Sequence, residues 1–297
     1  MWVGSNTEIH ENIEQKAVLE NAVMERTKEL EHANKELVFQ VEEKGKQAAA
    51  LIIANRELQS FSYIASHDLQ EPLRKIHTFA GLIRENENQN LSDKGKDYFR
   101  RIQSSAARMR RLIEDLLAYA STNAMERRFE KTELKIIIED VKTELKEAIF
   151  EKHAIIESTE LCPVNIISFQ FRQLMHNLIS NALKFSNPGR PPHIIIKGRI
   201  EHGNILNIKN PALLSRAFLL NKNYCHICVN DNGIGFEPEF NDRIFEVFQR
   251  LHSKDEYEGT GIGLAIVKKI VENHNGIITA SGVLGKGATF DIYIPHN

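Results

Sequence analysis

From about Ile9 to Leu58 the chain is rich in Glu, Lys, Gln and Ala and lacks proline, while Val23, Leu30, Leu37, Leu51 and Leu58 recur on one heptad position. That spacing predicts a coiled-coil seam, with a single solvated helix as the competing reading of such a composition. Lys44 interrupts the seam and Gly45 follows it, so the coil is expected to be weak there. Asn34 and Asn55 fall on the other seam position, where a buried asparagine fixes the register of a parallel dimer at some cost in stability. Helical character continues to about Glu87 and is broken by the polar run Asn86 to Ser92, with Ser92 placed to cap a second helix. In that helix Phe99, Ile102, Ala106, Met109, Ile113, Leu116 and Ala120 alternate three and four apart, and Arg108, Arg110 and Arg111 lie largely off the stripe. Two helices with one oily face each make an antiparallel hairpin. A lone hairpin buries little, so two copies are expected to pair into a four-helix bundle.

After Ala124 the period changes. Leu134 to Ile149 and Ser168 to Phe185 read as helices, and Ile194 to Ile200, Ile205 to Ile208, His226 to Asn230, Ile277 to Ser281 and Thr289 to Ile294 read as strands. Helices combined with a mostly antiparallel sheet predict an α+β layer. Arg127 to Lys131, polar around Phe129, is the expected linker.

At 297 residues the chain has room for about two domains and a linker. Lys and Arg number 38 against 40 Asp and Glu, a net charge of -2, so no nucleic-acid or membrane-surface footprint shows at the level of the whole chain. The longest strongly apolar stretch, Ala48 to Ala54, falls far short of the ~20 residues that span a bilayer. With no secretory leader at its start, the chain is expected to be a soluble, cytoplasmic protein or fragment without a membrane segment. Three cysteines make no disulfide framework, which fits a reducing compartment. Cys225 and Cys228 form a CxxC, but in a strand residues three apart point to opposite faces, and no second pair completes a metal set.

Candidate chemistry gathers in four places. His67 sits in Ser66-His67-Asp68-Leu69-Gln70-Glu71-Pro72. A lone helical histidine is usually inert, yet a neutral imidazole is a nucleophile near neutral pH, and the Asp68 carboxylate beside it could orient the ring and stabilise its positive form. Pro72 is expected to bend the helix near that group. Asn177, Asn181 and Lys184, spaced four and three, share one helix face, where a neutral amide oxygen suits a magnesium shell made chiefly of water and phosphate. Asp231 meets Gly233 and Gly235 in a tight turn open to a flat ligand. Gly259, Gly261 and Gly263 open a helix from Leu264 to Glu272, a place suited to phosphate oxygens. The polar segment His252 to Glu258 before them is no strand, which excludes a Rossmann reading.

In this order the motifs resemble the signature boxes of bacterial-type sensor histidine kinases, over about Ser60 to Pro295. The resemblance implies a multidomain chain: residues 1–9 as the end of a PAS sensor domain, 10–58 as a coiled-coil signalling helix, 59–124 as an all-α dimeric phosphotransfer hairpin, and 130–297 as a GHKL-type ATP-binding α+β two-layer sandwich. It also implies that His67 accepts a phosphoryl group from ATP, that Asn181 is the Mg²⁺ ligand, that Asn177 supports the phosphates and Lys184 offsets their charge, and that Asp231 accepts a bond from the adenine amine. Phe245 and Phe248 resemble the family's phenylalanine box in a lid, from which Arg250 would reach the phosphates. Gly285-Lys-Gly287-Ala-Thr-Phe290 resembles its last glycine turn, which needs no role beyond a hairpin. The implied partners are a second copy of the chain, an upstream sensor domain and the receiver domain of a separate response regulator. One position departs from many relatives: four residues after the histidine, where they carry Thr or Asn, stands Glu71, as in a subgroup that includes phytochrome-like kinases. A carboxylate there repels a phosphoryl group, which counts against phosphatase action on the partner. A GHKL ATPase without phosphotransfer and a dimerising pseudokinase scaffold are the alternatives.

Overall fold

The sequence patterns resolve into two units in the computed structural model, which describes residues 4–87, 89–121, 128–204, 221–251, 257 and 259–296. One unit ends at Phe61 and the other begins at Ser62. Helix α1 (Gly4–Asn86) starts in the first. Val23, Leu30 and Leu37 are 58%, 69% and 61% exposed there, so these positions of the predicted seam are uncovered within a single chain, while the side chains of Leu51 and Leu58 lie outside the described residues. Helix persists across Lys44 and Gly45. It also includes residues 4–9, the segment that the resemblance reads as the end of a PAS sensor domain. Trp2 and Val3 lie outside the described residues.

The second unit opens with the remainder of α1, which has Pro72 within it, and continues through α2 (Asp93–Ser121). The Gly95 amide donates to Ser92 Oγ at 3.2 Å, the cap expected from sequence, and Asp93 adds a negative charge to the first turn. Leu73, Ala80 and Ala106 are buried. Ile76, Phe79, Ile102, Met109 and Leu116 remain exposed, an apolar area that one hairpin cannot cover by itself.

Among the described residues seven strands and four α-helices follow. Strand β1 (Glu130–Glu133) pairs antiparallel with β3 (Pro163–Ile166). Glu130 and Lys131, expected in the linker, therefore belong to a strand, held partly by Ser168 Oγ donating to Glu130 Oε1 at 2.7 Å. The main sheet has the order β2-β4-β5-β7-β6, from β2 (Ile155–Thr159), β4 (His193–His202), β5 (Asn223–Asp231), β6 (Ile277–Val283) and β7 (Gly287–His296). Every neighbour is antiparallel except β2 with β4, so the sheet is mixed. The strand expected over Ile205 to Ile208 lies outside the described residues.

Helices α3 (Leu134–Glu144), α5 (Ser168–Lys184) and α6 (Gly263–Asn273) cover one face of the sheet, and the short α4 (Lys146–Glu151) follows α3. Ile138 and Val141 of α3, Phe171, Leu174, Leu178 and Ile179 of α5, and Ile266 and Ile270 of α6 meet Ile194, Ile196, Ile227 and Ile292 of the sheet in one core. Each such side chain contributes about 1.5–3 kcal/mol by leaving water. On β5 the period of two puts Cys225 in this core and turns Cys228 to the other face, beside Asp291, as the sequence predicts.

Candidate functional site

Helix α5 is amphipathic for a local reason. Leu174, Leu178 and Ala182 face the core, which turns Asn177, Asn181 and Lys184 toward a cavity of about 250 Å³. Asn177 Nδ2 is buried there without a hydrogen-bond partner, an atom that in a folded protein normally waits for a ligand or water. The Lys184 ammonium lies 4.3 Å from the centre of the Phe185 ring.

Asp231 ends β5 and reaches the same cavity. Its Oδ1 accepts from the Gly233 amide at 2.8 Å and the Ala288 amide at 3.2 Å. Burial pushes the Asp231 carboxyl above the usual range, opposed by these two amides and by the charge of Arg190. The turn after it docks on the end of α5 through the Ile234 amide, which donates to the Phe185 carbonyl at 2.9 Å. Gly235 has φ 65°, and a side chain on it would sit 2.1 Å from the Val283 carbonyl oxygen. Glycine is needed there both for conformation and for space.

The third wall is the loop that enters α6. The Phe248 amide donates to the Gly261 carbonyl at 3.0 Å. Arg250 donates to the Gly259 carbonyl at 3.1 Å and the Tyr257 carbonyl at 2.6 Å, so its guanidinium braces this loop. Phe245 is buried edge-on to Phe290, whereas Phe248 is exposed. No side chain caps the start of α6. A Cβ on Gly259 would lie 2.5 Å from Lys184 Nζ, so the missing side chain leaves room beside that ammonium.

Asn177, Asn181, Lys184, Asp231, Gly235, Arg250, Gly259, Gly261 and Gly263 thus line one cavity, and Gly233 buttresses Asp231 beside it. Asp68 is not among the residues that line it. The backbone of His67 falls within α1 and its side chain lies outside the described residues. Asp68 is exposed, and Glu71 pairs with Lys75 at 2.7 Å. The segment 252–256 and Glu258 also lie outside the described residues.

Three contributions were not apparent from sequence. The Ala288 amide makes the last glycine turn an orienting element for Asp231 as well as a hairpin. The Tyr257 ring approaches Phe185 with centroids 5.1 Å apart. Asp115, on α2, lines the cavity and accepts from Thr260 Oγ1 at 2.5 Å. A strongly apolar helix stripe hides such a residue, because its partner is 145 positions away.

The donor set fits a nucleotide triphosphate. An unpartnered buried amide, an ammonium beside an open glycine and a carboxylate at the far wall can serve phosphate and base in one cavity. Among the described residues no three His, Cys, Asp or Glu side chains are arranged to hold a metal themselves. An ion here would therefore depend on phosphate oxygens, water and the Asn181 amide oxygen. Among the described residues no helix is long and apolar enough to cross a membrane.

Comparison with known proteins gives two family matches. Residues 57–124 match the His Kinase A (phospho-acceptor) domain, and residues 167–297 match the histidine kinase-, DNA gyrase B- and HSP90-like ATPase family. The chain is similar to cyanobacterial phytochrome A of Nostoc, 36% identical over 86% of this chain and 31% of that protein. It is also similar to the phytochrome-like protein Cph1 of Synechocystis, 35% identical over 87% of this chain and 32% of that protein. The chain thus spans about a third of the length of these relatives. Among solved structures it shares its fold with full-length ShkA, solved in complex with AMPPNP, at a TM-score of 0.57 and 22% identity over 80% of this chain and 46% of that one.

Proposed function

The chain belongs to the sensor histidine kinases, and we propose that it transfers the γ-phosphoryl group of ATP to His67 and then to an aspartate on the receiver domain of a separate response regulator. The observation that carries this reading is the single cavity holding the orphan Asn177 amide, Lys184 and Asp231. Asp231 accepts from the adenine amine, Asn177 supports the phosphates, and Lys184 offsets their charge. Gly259, Gly261 and Gly263 let backbone amides approach the phosphate oxygens. Arg250 sets this loop through the Tyr257 and Gly259 carbonyls and reaches a phosphate only by leaving them. Magnesium, when bound, neutralises charge on the β- and γ-phosphate oxygens, and Asn181 is the side chain assigned to hold it.

In the transfer an imidazole nitrogen of His67 attacks the γ-phosphorus as the bond to the β–γ bridging oxygen breaks, and ADP leaves in line. Asp68 holds the distal ring N–H and stabilises the ring as it becomes positive. The exposed apolar residues of the hairpin are covered by a second copy in a four-helix bundle. The heptad seam of residues 10–58 continues that dimer toward a sensor domain upstream, and the kinase core works in the cytoplasm. Glu71, tied to Lys75, leaves no neutral side chain at its position to place water against a phosphoaspartate, so phosphatase action is weak or absent.

Incubation with γ-labelled ATP tests the reading. Label on His67 that is lost in acid and kept in base is the expected result. Release of free phosphate without labelling would make the protein an ATPase, and neither outcome would make it a scaffold.

Asp115 supplies a further prediction. Its carboxylate lines a cavity meant for a highly anionic ligand, and like charges across a screened protein surface oppose each other by about 1 kcal/mol. Asp115→Asn keeps an oxygen to accept from Thr260 and removes the charge. Nucleotide affinity measured by calorimetry should rise about fivefold, since 1 kcal/mol corresponds to that factor. Unchanged or weaker binding would show that Asp115 moves away before the phosphates arrive.

A further inference from the structure

Cys162 and Cys225 are 63 residues apart in the chain, yet their sulfurs are 2.7 Å apart. Cys162 sits half-buried in the turn between β2 and β3, just before Pro163 begins β3. Cys225 is fully buried on the core face of β5, between Ile200 of β4 and Ile294 of β7. A disulfide bond is about 2.05 Å long, so the two sulfurs need close by less than an ångström. Their spacing comes from the packing of the β2–β3 turn against the sheet, where Leu161 also covers Gly198 of β4.

We propose that Cys162 and Cys225 form a reversible dithiol–disulfide pair, oxidised by hydroperoxides, that staples the β2–β3 turn to the central strand of the ATP-binding sheet.

The roles within the pair follow from exposure. The Cys162 thiol, half-exposed where Cys225 is buried, is pulled below its ordinary range, chiefly by its hydrogen bond with Cys225, so Cys162 is the more readily ionised of the two and the nucleophile. Cys225, next to that charge and buried, is pushed up and keeps its proton. Cys162 attacks one peroxide oxygen, the O–O bond breaks, and a sulfenic acid forms as hydroxide leaves and takes up a proton to become water. The Cys225 sulfur then attacks the sulfenic sulfur. The S–S bond forms, the S–OH bond breaks, and the departing hydroxide takes the Cys225 proton as a second water. Two thiols lose two electrons and one peroxide gains them.

Cys228 is the internal control. It faces the other side of the sheet, and burial followed by the Asp291 carboxylate pushes its thiol up to about 11, so it stays protonated and slow to react. The staple lies some way from the nucleotide cavity. Asp231 is on the same strand as Cys225 but about 20 Å along it, at ~3.3 Å per residue. Its first effect is therefore on the cohesion of the domain, by restricting the unfolded chain between the two cysteines.

The test uses the whole chain treated with hydrogen peroxide, denatured, alkylated with a maleimide and mapped by peptide mass. Two of three thiols should disappear together, with the Cys162 and Cys225 peptides joined and lighter by two hydrogens, and Cys228 still alkylated. Dithiothreitol should restore all three. The melting temperature should rise on oxidation and return on reduction. In Cys162→Ala, whose lost side chain is half-exposed, Cys225 should resist peroxide, while Cys228→Ser should behave as the parent protein. Cys162 converted to sulfinic acid with Cys225 still alkylatable would overturn the proposal, as would a bridge between subunits, no reaction at all, or a bridge that lowers the melting temperature.

Discussion

Replacing His67 by glutamine is expected to remove the acid-labile label entirely, a loss of at least about 1,000-fold in transfer rate, because the nucleophile itself is deleted. Nucleotide affinity should not change. Among the described residues the cavity is lined by Asp115 and by residues between Asn177 and Phe290, which is where nucleotide binding is assigned. Glutamine is a good helix former, so α1 has no local reason to unwind. The measurement pairs a labelling time course with calorimetric titration of a non-hydrolysable ATP analogue. Residual acid-labile label in the variant would assign the acceptor to another histidine, with His77 the nearest in sequence. A large loss of analogue binding would contradict the separation of acceptor from pocket.

How far the sequence exposed this arrangement depends on whether a feature has a local period. Helix α5 was legible because Leu174, Leu178 and Ala182 repeat on one face and force Asn177, Asn181 and Lys184 onto the other. Gly235 was legible because its backbone angle and the Val283 carbonyl beside it admit no side chain. Strand β1, Glu-Lys-Thr-Glu, was not. It has no apolar residue to alternate and is held by pairing with β3 across more than thirty residues. The edge strand β2 alternates only weakly, with Ile155 more than half exposed, and a polar edge in an otherwise hydrophobic sheet reads as loop. Asp115 with Thr260 and Cys162 with Cys225 are wholly non-local. Attention to the CxxC at Cys225 and Cys228 pointed along the strand, whereas the thiol that meets Cys225 lies across the fold.

The replacement Asn181→Asp is expected to slow labelling of His67 by about 100-fold or more at saturating nucleotide, the range seen when an electrostatic group at a transferring phosphate is altered. The change is small in shape and keeps an oxygen in the same place on α5. What differs is charge. A neutral amide oxygen can complete a metal shell without repelling the phosphates, whereas a carboxylate adds a negative charge within the same cavity that holds Asn177 and Lys184. Lys184 would then divide its attraction between that carboxylate and the nucleotide. The defect should therefore show in the transfer rate more than in folding, because Asn181 is half-buried and its carbonyl bond with the Phe185 amide, at 2.8 Å, is a backbone bond that the substitution leaves in place. Titrating magnesium separates the causes. If the added charge disturbs the phosphates, no magnesium concentration restores the parent rate; if the variant merely binds the ion differently, excess magnesium does. Near-normal labelling at ordinary magnesium would mean that a different side chain holds the ion and that Asn181 serves only to support α5.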